Sequence, residues 1–264
     1  MKIERLSTGI PKLDEMLAGG IPKGFFVAVV GEPGCGKTVF CLHFVNEGIK
    51  RGEKAIFVTT EESRESIIRQ ATQFGMNFEE AIGKGDLVII DALLRSRGDP
   101  YSLANLTPEE LVNKVISVKK RLGFGHMRLV IDSLSAFWLD KPAMARRYSY
   151  VLKKVLYQWN FTVVVTSQYA ITTSEAFGFG VEHVADGIIR FRRAVRHGVL
   201  KRYLIIEKMR QTPHDLRMYE VTIVDGKGLV VVGPTGTRRE DVALPESVMR
   251  RIIEASRRAR EEVP

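Results

Sequence analysis

The sequence predicts an α/β domain: a mostly parallel central sheet flanked by helices, with an antiparallel extension towards its C-terminal end. Three observations carry that expectation. Apolar runs and helical patterns alternate from residue 25 to residue 166. The first apolar run leads into Gly31-Glu32-Pro33-Gly34-Cys35-Gly36-Lys37-Thr38, which fits the phosphate-loop pattern G-x-x-x-x-G-K-S/T. From residue 187 the alternation stops, and strands follow one another through short turns.

Taken in order, Ser7-Thr8-Gly9-Ile10-Pro11 opens a short helix with Leu13, Met16 and Leu17 on one face, and Gly19-Gly20 stops it. Phe25-Phe26-Val27-Ala28-Val29-Val30 is a continuous apolar run, the signature of a strand buried on both faces. The helix beginning at Lys37 carries Phe40, Phe44 and Val45 at helical spacing and runs to Lys50. Lys54 to Thr60 reads as a second strand, 64–74 and 77–82 as helices, and Asp86 to Asp91 as a third strand. Residues 93–106, with Arg95, Arg97, Gly98, Asp99 and Pro100, read as a surface loop. It ends in Thr107-Pro108-Glu109-Glu110, a capping box with proline at the first helical position, and that helix reaches Gly123. Arg128 to Asp132 is a fourth strand, 143–159 a helix, and Phe161 to Thr166 a fifth strand. Gly187 to Ala194, Leu200 to Met209, Met218 to Val224 and Leu229 to Val232 are the later strands. Residues 245–262 form a closing helix with Val248, Ile252, Ile253 and Ala255 on its apolar face. One domain over 1–264 accounts for this pattern without a linker.

A chain of 264 residues with 45% hydrophobic content can bury a sizeable core. The net charge of +9 permits an acidic partner, DNA included, and fits a solvated basic surface equally well. Asn and Gln are scarce, five of each, which leans towards a thermophilic source. Cys35 and Cys41 lie in the phosphate loop and its helix, beyond expected disulfide reach, and a reducing cytosol fits them. No signal-peptide core and no apolar run of membrane-spanning length is visible, so a cytoplasmic protein without a membrane partner is expected.

The chemistry centres on the loop. Its glycines allow backbone N–H groups to face phosphate oxygens, and the helix start adds unpaired donors. Gly34, Cys35, Gly36, Lys37, Thr38 and Val39 are therefore expected to hold a nucleoside triphosphate, with Lys37 on the β- and γ-phosphates. Thr38 would ligate Mg²⁺, and Asp132, ending an apolar strand, would face the same ion. Asp132 could instead cap the turn at Ser133 and Ser135. Glu61 and Glu62 follow the second strand, where one could act as base for an attacking water; alternatively both are first-turn acids suited to a helix dipole. Gln168 could sense the γ-phosphate through its amide, or be an ordinary loop residue.

Together these residues resemble the RecA-like ATPases, and within them the KaiC-like branch. The resemblance covers nearly the whole chain. It includes Ser7-Thr8-Gly9-Ile10-Pro11-Lys12-Leu13-Asp14, Gly19 to Gly24, Thr60-Glu61-Glu62-Ser63, Val130 to Leu134 and Gly180 to Gly187. Glu207-Lys208-Met209-Arg210-Gln211-Thr212-Pro213-His214-Asp215 resembles the K-x-R-x-x-x-H segment of that family. The resemblance implies ATP and ADP as ligands, Mg²⁺-dependent hydrolysis, and self-association into a ring, usually a hexamer, with nucleotide between subunits. It also implies that Lys208 and Arg210 reach a neighbour's γ-phosphate, that His214 makes a further nucleotide contact, and that the protein is regulatory. Two departures matter. Leu216 stands where the family often has lysine, and Glu182-His183 stands where the clock protein carries adjacent phosphoacceptors, so autophosphorylation there is not implied. The rival readings are a DNA-binding recombination or repair accessory ATPase, an ATP-gated scaffold with little turnover, and a P-loop kinase. Against the first, the stretch Tyr169 to Glu182 contains no Lys or Arg.

Overall fold

The computed structural model describes residues 3–236 apart from 95, 97, 139–143 and 169–180; the closing helix expected at 245–262 lies outside the described residues. The chain enters through β1 (Arg5–Leu6), antiparallel to β2 (Ile21–Pro22), two strands too short for a sequence signal. Between them α1 (Pro11–Met16) is anchored from its own entry. The Asp14 carboxylate accepts from the Thr8 N–H and hydroxyl, both at 2.7 Å, and from the Ser7 hydroxyl at 2.5 Å.

The phosphate loop then joins β3 (Phe26–Gly31) to α2 (Lys37–Lys50). Next come β4 (Lys54–Thr59), α3 (Arg64–Gln73), α4 (Phe78–Lys84) and β5 (Leu87–Asp91). Helix α5 (Pro108–Leu122), with Thr107 capping the Glu110 N–H, precedes β6 (Met127–Asp132). A 3-10 turn at Leu134–Trp138, α6 (Ala145–Gln158) and β7 (Phe161–Gln168) follow. A short α7 (Val181–Val184) leads to β8 (Gly187–Arg196), β9 (Val199–Met209), β10 (Tyr219–Val224) and β11 (Gly228–Pro234). Of the described elements, those expected from residue 25 onward agree to within about two residues at each end, the usual scatter of element boundaries. Beyond β1 and β2, the sequence reading did not resolve the 3-10 turn or α7.

One sheet takes the order β11-β10-β9-β8-β3-β7-β6-β4-β5. The pairs β8–β3, β3–β7, β7–β6, β6–β4 and β4–β5 are parallel, whereas β8–β9 and β9–β10 are antiparallel. The expected extension is therefore real, but it grows from β8, which itself runs parallel to the phosphate-loop strand. Both faces are covered. Val27, Val29, Ala55 and Phe57 pack towards α2, α3 and α4, while Phe26, Ala28, Val30, Ile56 and Val58 pack towards α5 and α6. Burial on both faces is why these strands read as continuous apolar runs rather than alternating ones.

Two buried polar devices fix α2 in this frame. Arg128 of β6 is fully buried. Its guanidinium meets Glu53 at 2.8 and 3.1 Å, donates to the Ser7 and Phe44 carbonyls at 2.7 and 2.8 Å, and stacks 4.6 Å from the Phe44 ring. Gly48 sits in the helix interior because a Cβ there would lie 2.5 Å from Arg128 Cδ. His43, also on α2, accepts the Leu229 N–H at Nε2, 2.9 Å away. The neutral ring then carries its proton on Nδ1, which donates to the Gly9 backbone. One imidazole thus ties the entry segment, α2 and β11 together.

Burial pushes the His43 imidazole down to about 4. The unfolded chain takes up this proton first, near its ordinary value of 6.5, so stability falls as pH drops from there towards 4. Unfolding by denaturant should show a loss of roughly 2 kcal/mol between pH 6.5 and 4.5. In His43→Gln that slope should flatten, although the variant is less stable at pH 7. Equal slopes in both proteins would contradict this role.

Candidate functional site: the phosphate loop and its flanking strand ends

Parallel strands bring their C-terminal ends to one edge of the sheet, where ligands of open α/β folds bind. Here that edge carries the phosphate loop after β3, Glu61 and Glu62 after β4, Asp132 and Ser133 at the end of β6, and Gln168 at the end of β7. They surround a cleft of about 300 Å³ lined by Gly34, Gly36, Lys37, Thr38, Val39, Glu61, Glu62, Asp132 and Ser133, with Gln70 and Ile223 at its margin. Gln168 pairs with Gly31 in the β3–β7 register, so its backbone stands beside the loop; its side chain lies outside the described residues.

Each part is held by local chemistry. Gly36 caps α2 with φ of 106°, a left-handed conformation that side chains rarely adopt. At Gly31 a Cβ would collide with the Phe191 carbonyl of β8. Lys37 is 9% exposed, and its ammonium donates to the Gly31 and Glu32 carbonyls at 2.9 and 3.0 Å. The Cys35 thiol is turned inward, 3.9 Å from Lys37 Nζ, so this residue can offer a ligand only its backbone. Burial pushes the thiols of Cys35 and Cys41 up, and both cysteines are free.

The Asp132 carboxylate accepts from the hydroxyls of Thr166 and Thr38. Its bonds therefore go to β7 and the start of α2, rather than to the turn that follows it. Desolvation pushes this carboxyl up, and the Glu61 charge adds to the effect, against the two hydroxyls and Lys37. A carboxylate strained in this way favours a cation beside it. One carboxylate and one hydroxyl make a sparse donor set. That suits Mg²⁺, which retains waters and takes oxygens from the phosphates it accompanies.

The two glutamates differ. Glu61 Oε1 accepts from the Ser133 hydroxyl at 2.8 Å, which keeps it beside Asp132. The Glu62 carboxylate turns back to α3, accepting from Ser66 Oγ at 2.6 Å and from Gln70 Nε2. Thr60 pins both strand ends: its N–H donates to the Asp132 carbonyl and its hydroxyl accepts the Ser133 N–H, each at 2.8 Å.

Sequence reasoning missed the cover that the later strands place over the loop. Arg202 of β9 donates to the Gly34 carbonyl at 2.9 Å, and the Arg193 N–H of β8 donates to Glu32 at 3.2 Å. Arg193 and Arg202 are direct cross-strand partners, a like-charge pairing that is unfavourable in isolation. Beside a phosphate loop, such a pair is relieved by an anion. Only the β8–β9 register reveals it; the sequence shows arginines spread over two strands.

Lys208, Arg210 and His214 are not in this cleft. In the ladder, Val27 at the start of β3 pairs with Gly187, and Ile188 pairs with Lys208. Lys208 is therefore level with Ala28, and Gly31, where the phosphate loop starts, is three residues further along β3, about 10 Å away at strand spacing. At that far end Lys208 Nζ donates to the Ala185 carbonyl at 2.7 Å, and Arg210 pairs with Asp186 at 3.1 Å. His214 Nδ1 lies 3.4 Å from the Asp215 carbonyl.

The KaiC ATPase family matches residues 6–236, nearly the whole described fold. The chain belongs to that family. It is 37% identical over 233 residues to a UPF0273 protein of Aeropyrum pernix, covering 87% of this chain and 94% of that one. A UPF0273 protein of Thermotoga maritima is also 37% identical, over 238 residues, with 89% and 98% covered. The crystal structure of a KaiC-like protein from Pyrococcus horikoshii superposes with a TM-score of 0.74 at 29% identity, covering 88% of this chain and all of that one. A KaiC-type domain of the RecA superfamily is a nucleotide-binding fold.

Asp132→Asn separates binding from stability. The ionised carboxylate destabilises the folded chain, so the amide variant should melt no lower than wild type. Its affinity for nucleotide in the presence of Mg²⁺ should fall about 10–100-fold, as when a metal site loses an orienting group. A calorimetric titration and a thermal melt on the same samples test both halves.

Proposed function

We propose that this KaiC-family protein binds ATP with Mg²⁺ between adjacent copies of itself and hydrolyses it, within a ring that serves a regulatory role. The observation that supports this most is the placement of the cations. Lys208 and Arg210 match the family segment that reaches a neighbour's γ-phosphate, and they stand at the end of the sheet opposite their own phosphate loop. A head-to-tail repeat of one surface against a different one brings them to the loop of the next copy, and such a contact closes into a ring. Six copies is the number that the family resemblance implies.

Within such a site Lys37 exchanges the Gly31 and Glu32 carbonyls for β- and γ-phosphate oxygens. Thr38 and Asp132 would hold Mg²⁺, which would supply positive charge against the phosphates. Glu61, held by Ser133, takes a proton from the water whose oxygen attacks the γ-phosphorus. The bond to the β,γ-bridging oxygen breaks, and ADP leaves with its electron pair. Lys208 and Arg210 of the adjacent copy neutralise the γ-phosphoryl oxygens in the transition state, His214 makes a further nucleotide contact, and Gln168 senses the γ-phosphate. Glu62, bound to Ser66 and Gln70, positions α3 beside the water. Scarce Asn and Gln, and a relative from the hyperthermophilic archaeon Pyrococcus horikoshii, support a heat-adapted protein, and two free buried cysteines suit the reducing interior of a cell.

Phosphate release measured for two single variants tests the assignment. Glu61→Gln should lower turnover about 100-fold or more while leaving ATP affinity within about threefold, the pattern of a group that acts in the transition state. Glu62→Gln should cost less, roughly tenfold. Equal turnover in wild type and Glu61→Gln would overturn the base assignment.

A further inference from the structure

A second cavity of about 670 Å³ opens away from the phosphate loop, between α6, α7 and the end of β9. Its lining includes Arg146, Arg147, Tyr150, Lys153, His183 and Arg210. Its charge is strongly one-sided. Among the described residues four basic side chains (Arg146, Arg147, Lys153 and Arg210) line it, and the Asp186 carboxylate beside them is already shared by Lys153 at 2.5 Å and Arg210 at 3.1 Å. Lys208, just behind, is pushed below the usual lysine value by burial and by the charges of Arg210 and Lys153. Arg146 and Arg147 are exposed and occupy the first turn of α6, which carries no acidic residue. Cations at the positive end of a helix dipole are unfavourable, and helices normally place acids there. A local choice that opposes both the helix dipole and its neighbours' charge marks a functional surface. The complement is a compact polyanion, and the cavity has the dimensions of a ligand site.

We propose that this cavity is the receiving half of the inter-subunit site: Arg146 and Arg147 of α6, with His183 of α7, engage the terminal phosphate oxygens of ATP held by the phosphate loop of the adjacent copy. This rests on the reading that Arg210 acts on a neighbour's nucleotide, and it widens that contact from one strand end to a three-element cradle. The α6 arginines supply charge that Arg210, partly neutralised by Asp186, does not. Tyr150 walls the cavity on the α6 side.

Mixed-subunit ATPase assays test this. Lys37→Ala subunits lack a working loop but keep an intact cavity, whereas Arg146→Ala/Arg147→Ala subunits have the reverse. Each alone should turn over ATP at least about tenfold more slowly than wild type. The double variant should still bind ADP within about twofold and melt like wild type, because both arginines are exposed. Mixed in equal amounts, the two should regain turnover well above either alone, since some loops then face an intact cavity. Arg146→Lys/Arg147→Lys should recover part of the loss. If Arg210→Ala complements Lys37→Ala but the α6 double variant has wild-type turnover, the cradle is wrong and the inter-subunit site stands. If neither mixture gains activity over its parts, both are wrong.

Discussion

The parallel pairing of β8 with β3, followed by the reversal into β9, decides which basic side chains can reach the chain's own phosphate loop. Parallel pairing puts the C-terminal end of β8 beside the phosphate loop. The β8–β9 turn then starts β9 at that same end and delivers its last residues to the opposite one. A single strand therefore carries Arg202, bonded to the chain's own Gly34, and some six residues later Lys208, beyond reach of that loop. The strand is continuous, and it carries a cation towards each edge of the sheet. In a head-to-tail ring each β9 would span from one site to the next, a direct mechanical link between neighbouring sites.

The loop itself depends on how firmly α2 is held. Arg128 ties β6 to α2 four residues before Asp132, so the same strand that fixes the helix also presents the carboxylate facing Thr38. Taking one partner away from a buried ion pair of this kind typically costs about 3–5 kcal/mol, because the remaining charge stays buried without its counter-ion. Burial and the Arg128 and His126 contacts act oppositely on Glu53; the contacts prevail and hold its carboxyl down at about 2. The pair is thus ionised throughout the pH range in which the protein would work. His43 completes the frame from the other side by fastening β11 to the same helix, which places Ile223 and Leu229 about 3.5 Å from the Gly36 position.

Much of this was legible in the sequence because it depends on local rules. Glycines at 31, 34 and 36 with Lys37 and Thr38 define the loop, and continuous apolar runs at 26–30 and 127–131 mark strands buried on both faces. A capping threonine and proline at 107–108 fix where α5 begins. Strand order was not legible, since it depends on which apolar faces meet across long separations. For the same reason the basic clusters at Arg146–Arg147 and around Arg193 were visible only as runs of charge, and the places of Arg202 and Ile223 were not visible: each acquires meaning only through register or through a neighbour distant in sequence. Glu61 and Glu62 looked equivalent as adjacent acids. Ser133 and Gln70, remote along the chain or two helix turns away, are what give them different surroundings.

The central claim is that one chain holds only half of a nucleotide site. Light scattering of the purified protein with ATP–Mg²⁺, ADP–Mg²⁺ and no nucleotide, at a single protein concentration, tests it most directly. A nucleotide completed by the adjacent copy must favour association. With ATP–Mg²⁺ a closed assembly is expected, its mass a multiple of 29.7 kDa, reached less readily with ADP or without nucleotide. A mass of 29.7 kDa under all three conditions, with ATP bound, would contradict it.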